Sequence, residues 1–317
     1  MCFFKSLTAT YDDLADYYGD RNLDHLVKEY ESSFQTILRD LEPVRERLAV
    51  LMQKDPQLAQ QSLVQSDQLY NLLLHYSKKA ERPAVYTSQE VTEMKRHLRN
   101  LERFQPNGIA AYYENGFDLF ETPILTSGDP QTFKMFHWGL VPGAVSDKNK
   151  WIDEKERLNC QSEWMHTSKD YAATFAKGQR CLIPVSGFYE WRTLDEDDSE
   201  NIKIPYYITF LDQKPRMMAG LYDRWRDPAT GEYYYSYVLL TTKANTILEY
   251  VHNKKKRMPV FIPQDQWGKW LDKSLQLKEA QEMCQPFQDP NMRAYTITKL
   301  LTTNDAHRNV PQVRYPM

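Results

Sequence analysis

Cysteine is sparse and scattered: Cys2, Cys160, Cys181 and Cys284 lie far apart, with no Cys-x-x-Cys spacing. That pattern excludes a disulfide framework and a structural zinc site, and it points to a reducing, cytoplasmic home. No apolar run is long enough to span a bilayer, and the amino end lacks the charged-then-apolar layout of a secretory signal. A membrane is therefore not an expected partner. The formal net charge is -3, so no global basic field advertises nucleic acid, and any phosphate contact must come from a local cluster. Internal repeats and long low-complexity segments are absent. No metal or cofactor is expected, because His25, His75 and His97 have no second ligand at metal spacing. What remains is globular: 317 residues with 41% hydrophobic content can bury one large core or two ordinary ones.

The chain changes texture as it runs. Thr10 and Asp13 are placed to cap a short helix carrying Leu14, Tyr17 and Tyr18, and Gly19 ends it. From Leu23 the apolar positions Leu26, Val27, Tyr30, Phe34, Ile37, Leu38 and Leu41 recur at helical spacing, and Thr87 with Glu90 has capping-box spacing before a further helix. Residues 22–104 therefore read as a helical block suited to packing or to contact with a protein partner. After Pro106-Asn107-Gly108, short apolar and aromatic runs divided by Gly, Pro and Asp predict strands. They cover 123–125, 133–140, 182–191, 204–210, 217–222, 233–242 and 258–262. Residues 194–201, with five acids, read as an exposed loop. Pro263 is placed as a first helical residue; short helices at 266–271 and 278–284 and a last strand at 294–300 complete the pattern.

Chemistry concentrates in five places. The run from Cys181 through Pro184 and Gly187 to Tyr189-Glu190-Trp191 sets a carboxylate between two aromatic rings. It is either a core strand that happens to end in Glu, or a desolvated carboxyl whose raised pKa suits proton transfer near neutral pH. Trp138, in Phe136-His137-Trp138-Gly139-Leu140-Val141-Pro142, is either a stacking face for a nucleic-acid base or a core ring packed close over Gly139. Asn159, in Leu158-Asn159-Cys160-Gln161-Ser162-Glu163, offers a donor and an acceptor that can orient a nucleophile or a ligand oxygen. His252 leads into Lys254, Lys255, Lys256 and Arg257, which suits a phosphate-lined site as well as a solvated loop. Finally, Met1-Cys2 is the kind of start from which Met is readily removed. The Cys2 left behind would carry an amine of pKa roughly 7.7 to 8.0 and a thiol of about 8.5 on adjacent carbons. With an aldehyde, such a 1,2-aminothiol forms an imine and then closes a five-membered ring; with an amide or ester, the thiol alone attacks.

Met1-Cys2, Trp138 to Pro142, Asn159 with Ser162-Glu163, Cys181 to Trp191, and His252 followed by Arg257 to Val260 occur in one order that resembles the SRAP family, the SOS-response-associated peptidases. The likeness covers roughly residues 1–20 and 107–317, with Asn309-Val310 agreeing near the end. It implies a single α+β domain around a distorted, mixed and antiparallel, partly closed sheet, with 22–104 as a helical insertion. It implies covalent capture of abasic sites in single-stranded DNA through Cys2 as a thiazolidine, with self-removal of the leading Met. Carried over, Cys2 is the nucleophile and Asn159 holds its terminus. Glu190 is the acid and base of ring closure, and His252 assists proton transfer. Trp138, Gln161, Lys254, Lys255, Lys256 and Arg257 face DNA. The chain departs from the family pattern at Phe3-Phe4, where Gly-Arg is usual, and at Gln161, where Arg is common. Two other readings stand beside this one. They are a thiol peptidase or amidohydrolase using Cys2, and a non-catalytic binding module whose helical block recruits a partner.

Overall fold

Thr10 and Asp13 close a capping box. The Thr10 hydroxyl accepts from the Asp13 N–H at 3.0 Å, and the Asp13 carboxylate accepts from the Thr10 N–H at 3.1 Å. These bonds end β1 (Phe4–Thr10) and begin α1 (Tyr11–Tyr18), which buries Leu14 and Tyr18 and stops before Gly19 at φ 71°. The computed structural model describes residues 3–19, 103–105, 108–118, 120–155, 157–194, 202–302 and 308–317. It divides into two units, Met1–Leu26 with Asn107–Met317, and Val27–Pro106. The first unit carries everything below. Cys2, the three histidines of the expected helical block and nearly all of that block lie outside the described residues.

The strands after α1 are β2 (Gly108–Asn115), β3 (Glu121–Thr126), β4 (Asp129–Trp138), β5 (Asn159–Gln161), β6 (Arg180–Val185), β7 (Gly187–Thr193), β8 (Lys203–Phe210), β9 (Arg216–Arg226), β10 (Tyr233–Lys243), β11 (Arg257–Pro259) and β12 (Met292–Thr296). Within the first unit, one sheet runs β12-β8-β7-β1-β2 and is antiparallel throughout. In the other, β9-β6-β3-β4-β10 closes on itself because β10 pairs back onto β9. Two strands follow one another along each edge of β10. On one edge β9 is succeeded by β11, and on the other β4 is succeeded by β5, both parallel to β10. The fold is therefore α+β around a mixed, closed sheet, as the family resemblance implied, with a second sheet packed against it that was not expected.

The run expected as one strand at 182–191 is two strands, because Ser186 hands the chain from one sheet to the other. Its N–H donates to the Ser6 carbonyl at 2.8 Å, and its hydroxyl accepts from the Thr8 N–H at 2.9 Å. Gly187 is required by a close approach: a Cβ there would stand 2.5 Å from the Tyr207 ring and from the Ile208 carbonyl. The main core gathers Ile124, Trp138, Ile183, Phe188, Ile208, Met218, Leu239 and Leu248 from both sheets and one helix. Each such side chain contributes about 1.5–3 kcal/mol by leaving water.

The short helices are α2 (Lys148–Glu154), α3 (Ala172–Ala176), α4 (Thr246–Val251), α5 (Trp267–Leu271) and α6 (Leu277–Glu282). Pro263 caps a 3-10 turn ahead of α5 instead of opening an α-helix. β11 is shorter than the 258–262 run, which continues only as a bridge between Phe261 and Met218. The last strand lies earlier than expected and gives way to a 3-10 turn at Lys299–Thr302.

Candidate active site

Alternation along β7 decides the environment of Glu190. Phe188 and Glu190 point to one face, where Phe188 joins the main core, while Tyr189 and Trp191 point to the other and pack with Tyr113 and Tyr207. The expectation that Tyr189 and Trp191 desolvate Glu190 is therefore corrected: a period of two sends its sequence neighbours to the opposite side. Glu190 is nonetheless 4% exposed, and burial raises its carboxyl to about 7.

His252 meets Glu190 on this face. Asn245 caps α4 by accepting from the Leu248 N–H at 2.9 Å and ties the cap down through its amide, which donates to the Phe287 carbonyl at 2.8 Å. His252 directly follows that helix, 8% exposed, with Nδ1 2.9 Å from the Arg257 carbonyl and 3.9 Å from Glu190 Oε1. The Nδ1 proton goes to that carbonyl, so the basic nitrogen is Nε2. Burial lowers the imidazole to about 4, and the charges of Lys255 and Arg257 act in the same direction. Two groups that would pair as ions in water are instead both held toward their neutral forms, because desolvation outweighs an attraction across 3.9 Å. Such a pair can give a proton from carbon-bound oxygen and take one on nitrogen at the same pH.

Neighbouring residues hold the pair in place. The Asn253 side chain bonds both polar backbone atoms of Thr193, at 3.1 and 2.9 Å, stitching the loop after α4 to the end of β7. Lys5 is fully buried and paired with Glu114, with Thr122 Oγ1 at 3.0 Å, so the start of β1 is fastened from inside. Breaking such a pair by removing one partner costs about 3–5 kcal/mol.

Asn159 stands on β5 opposite Leu239, and both polar atoms of its amide are buried with no hydrogen-bond partner among the described residues. Leaving a buried amide group unpaired costs about 1–3 kcal/mol per group. Gln161 is exposed at the end of β5, opposite Thr241. Lys254, Lys255 and Lys256 are exposed on the loop between α4 and β11, with Lys256 in the left-handed region at φ 47°.

Two expected DNA contacts are corrected. Trp138 is 0% exposed; its indole N–H donates to the Leu158 carbonyl at 2.9 Å and its ring lies parallel to Tyr237, so no face is left for a base. Arg257 forks onto Glu163 at 2.6 and 2.7 Å and also donates to the Thr241 carbonyl at 2.7 Å. Its guanidinium clamps the Glu163 segment to the His252 loop and is not offered to phosphate. Near Gln161 and the His252 loop, exposed aromatic residues are Trp164, 63% exposed just after Glu163, and Tyr250 on α4, 56% exposed with the Arg192 guanidinium over its ring at 3.9 Å. Sequence reading passed over both. Trp164 follows a charged residue directly, the one signal available that it is not a core ring.

Among the described residues no cluster of His, Cys, Asp and Glu could hold a metal ion, and no helix is long and apolar enough to cross a membrane.

A two-sheet α+β fold thus brings a buried carboxyl and a buried imidazole together next to the start of its first strand. The chain belongs to the SOS response associated peptidase (SRAP) family, which it matches over residues 82–304. That match reaches back into the helical block and does not include the Cys2 segment. The chain is 28% identical over 219 residues to the Abasic site processing protein YoqW of Bacillus subtilis, covering 68% of this chain and 90% of that one. It is 28% identical over 194 residues to the Abasic site processing protein HMCES of Xenopus tropicalis, covering 55% of this chain and 54% of that protein. A crystal structure of a protein from Bacteroides thetaiotaomicron superposes with a TM-score of 0.57 at 32% identity, over 65% of this chain and 84% of that one.

Proposed function

We propose that this protein captures abasic sites in single-stranded DNA as a thiazolidine on Cys2, once Met1 has been removed by the protein's own thiol chemistry. The observation that carries the reading is the buried Glu190–His252 pair, placed in the middle of β7 directly after the residue where pairing with β1 begins, Phe4 opposite Tyr189. Cys2 is two Cα steps from Phe4, at most about 7.6 Å of chain. The names of the relatives, abasic site processing proteins, support the substrate class.

The chemistry balances around Glu190. The Cys2 amine adds to the aldehyde of the ring-opened abasic sugar. Glu190, protonated, gives its proton to the carbinolamine hydroxyl, which leaves as water. The carboxylate so formed takes the thiol proton as sulfur adds to the iminium carbon, and a thiazolidine results. One C–N and one C–S bond form, the C–O bonds break, and Glu190 ends as it began. His252, neutral at this pH, supports the transfer and the reverse reaction. Asn159, through the donor and acceptor of its amide, holds the terminus, while Gln161, Lys254, Lys255 and Lys256 meet phosphates. Residues 22–104 are read as a helical insertion suited to contact with a protein partner; the family match begins at residue 82, inside that block.

Intact-mass spectrometry tests it, with the protein alone and mixed with a single-stranded oligonucleotide carrying one abasic site. Loss of Met1 and an adduct mapping to Cys2, abolished by Cys2→Ala and by an acetylated terminus, is the expected result. An adduct that survives acetylation indicates a thiol acting alone, as in a peptidase. Oligonucleotide binding without adduct, unaffected by Cys2→Ala, indicates a binding module.

A further inference from the structure

The reverse face of the β12-β8-β7-β1-β2 sheet carries a cleft of about 660 Å³, within the range of roughly 300–1,000 Å³ typical of small-molecule sites. Tyr207 and Thr209 line it, on the side of β8 that faces Tyr189, whereas Glu190 lies on the opposite face of β7. It is thus separate from the site above. Its wall includes Arg293 and Arg314 with Tyr207, Tyr295 and Thr8, and among the described residues it contains no acidic one.

Arg314 is presented with care. Its Nη1 donates to Thr8 Oγ1 at 3.1 Å and to the Tyr207 hydroxyl at 3.2 Å, and its guanidinium lies over the Tyr112 ring at 4.6 Å. The Nε and Nη2 edge, the one that grips oxyanions side-on with two parallel bonds, makes no hydrogen bond among the described residues. Arg293 is exposed beside Tyr295, its guanidinium 5.6 Å from the ring, and has no carboxylate partner among the described residues. The nearby carboxylates Asp212 and Asp289 are both taken by Arg216, at 2.8 and 2.9 Å. Two uncompensated guanidiniums, one fixed in orientation, thus meet aromatic rings in a cleft of nucleotide size.

We infer that this cleft binds a small phosphate monoester carrying an aromatic base, a nucleoside monophosphate in class, with the phosphate on Arg314 and Arg293 and the base against the tyrosine rings. Isothermal titration of the full chain with deoxyadenosine 5′-monophosphate and with inorganic phosphate tests it. The nucleotide binds more tightly than phosphate alone. Arg314→Gln weakens it by about tenfold or more, and Arg314→Lys, which keeps the charge and loses the fork, gives an intermediate loss. Arg293→Gln weakens binding several-fold with an unchanged melting temperature, since that exposed side chain holds nothing in the fold. Glu190→Gln leaves binding unchanged. Absence of nucleotide binding up to about 10 mM, where even a millimolar site would be filled, overturns the proposal. So does binding indifferent to both arginines, or binding only of an undamaged oligonucleotide in an Arg293-dependent way, which would make the cleft a DNA-backbone contact.

Discussion

Replacing Glu190 by Gln removes a titrating proton from the buried pair and leaves its shape almost intact. The consequence for stability can be worked through. A carboxyl raised from 4.5 to about 7 in the folded state favours folding fully below pH 4.5 and loses that advantage as pH rises through 7. At 1.36 kcal/mol per pH unit the loss is about 3 kcal/mol. His252, lowered from 6.5 to about 4, works in the opposite sense: its contribution is fully present above pH 6.5 and is lost as pH falls through 4, again about 3 kcal/mol. Between pH 4.5 and 6.5 the two slopes cancel, so the parent hides both. Urea unfolding of parent and Glu190→Gln across pH 4.5 to 8 exposes them. The difference in unfolding free energy should move by about 3 kcal/mol in favour of the variant as pH rises, the remaining groups being common to both proteins. A difference constant across that range would refute the buried, neutral carboxyl and with it the acid assigned to ring closure. The same variant should form adduct about 100-fold more slowly or worse near neutral pH.

Gln161→Arg restores a charge at the exposed end of β5 and should tighten binding of single-stranded DNA. The slope of log affinity against log salt should steepen by about 0.7, read by fluorescence anisotropy across a salt series. Trp164→Ala should weaken binding of the same strand by about 1–3 kcal/mol with an unchanged melting temperature, while Trp138→Ala should cost about 3–5 kcal/mol of stability.

Much of this arrangement was legible in the chain. Binary patterns located most of the strands, and Thr10 with Asp13 announced α1, because those signals are local. Glu190 and His252 were legible as chemistry from residue type and surroundings, yet their meeting depends on α4, a six-residue helix whose apolar content is too brief to show a period. Trp138 misled because an aromatic ring beside Gly has the same sequence signature in a core as on a surface. Its burial follows from closure of the barrel, a contact between strands distant in the chain. Arg257 misled for a related reason: its carboxylate partner Glu163 is 94 residues away. Lys5 gave a signal that was not read, a lysine inside an apolar strand whose partner Glu114 lies 109 residues on.

The handover at Ser186 carries one more implication. Because β6 belongs to the barrel and β7 to the other sheet, the five residues from Val185 to Tyr189 act as a phase-locked joint between two independently registered ladders. Substitutions there are judged one side chain at a time, but a change of length is not. Inserting or deleting one residue keeps every backbone bond available and swaps the faces beyond it, burying Tyr189 or Trp191 beside His252 and delivering the carboxyl to the tyrosine-lined side. This stretch should therefore accept varied sequences during divergence while holding its residue count fixed, and a deep insertion scan would find it the most length-intolerant part of the barrel-to-sheet path.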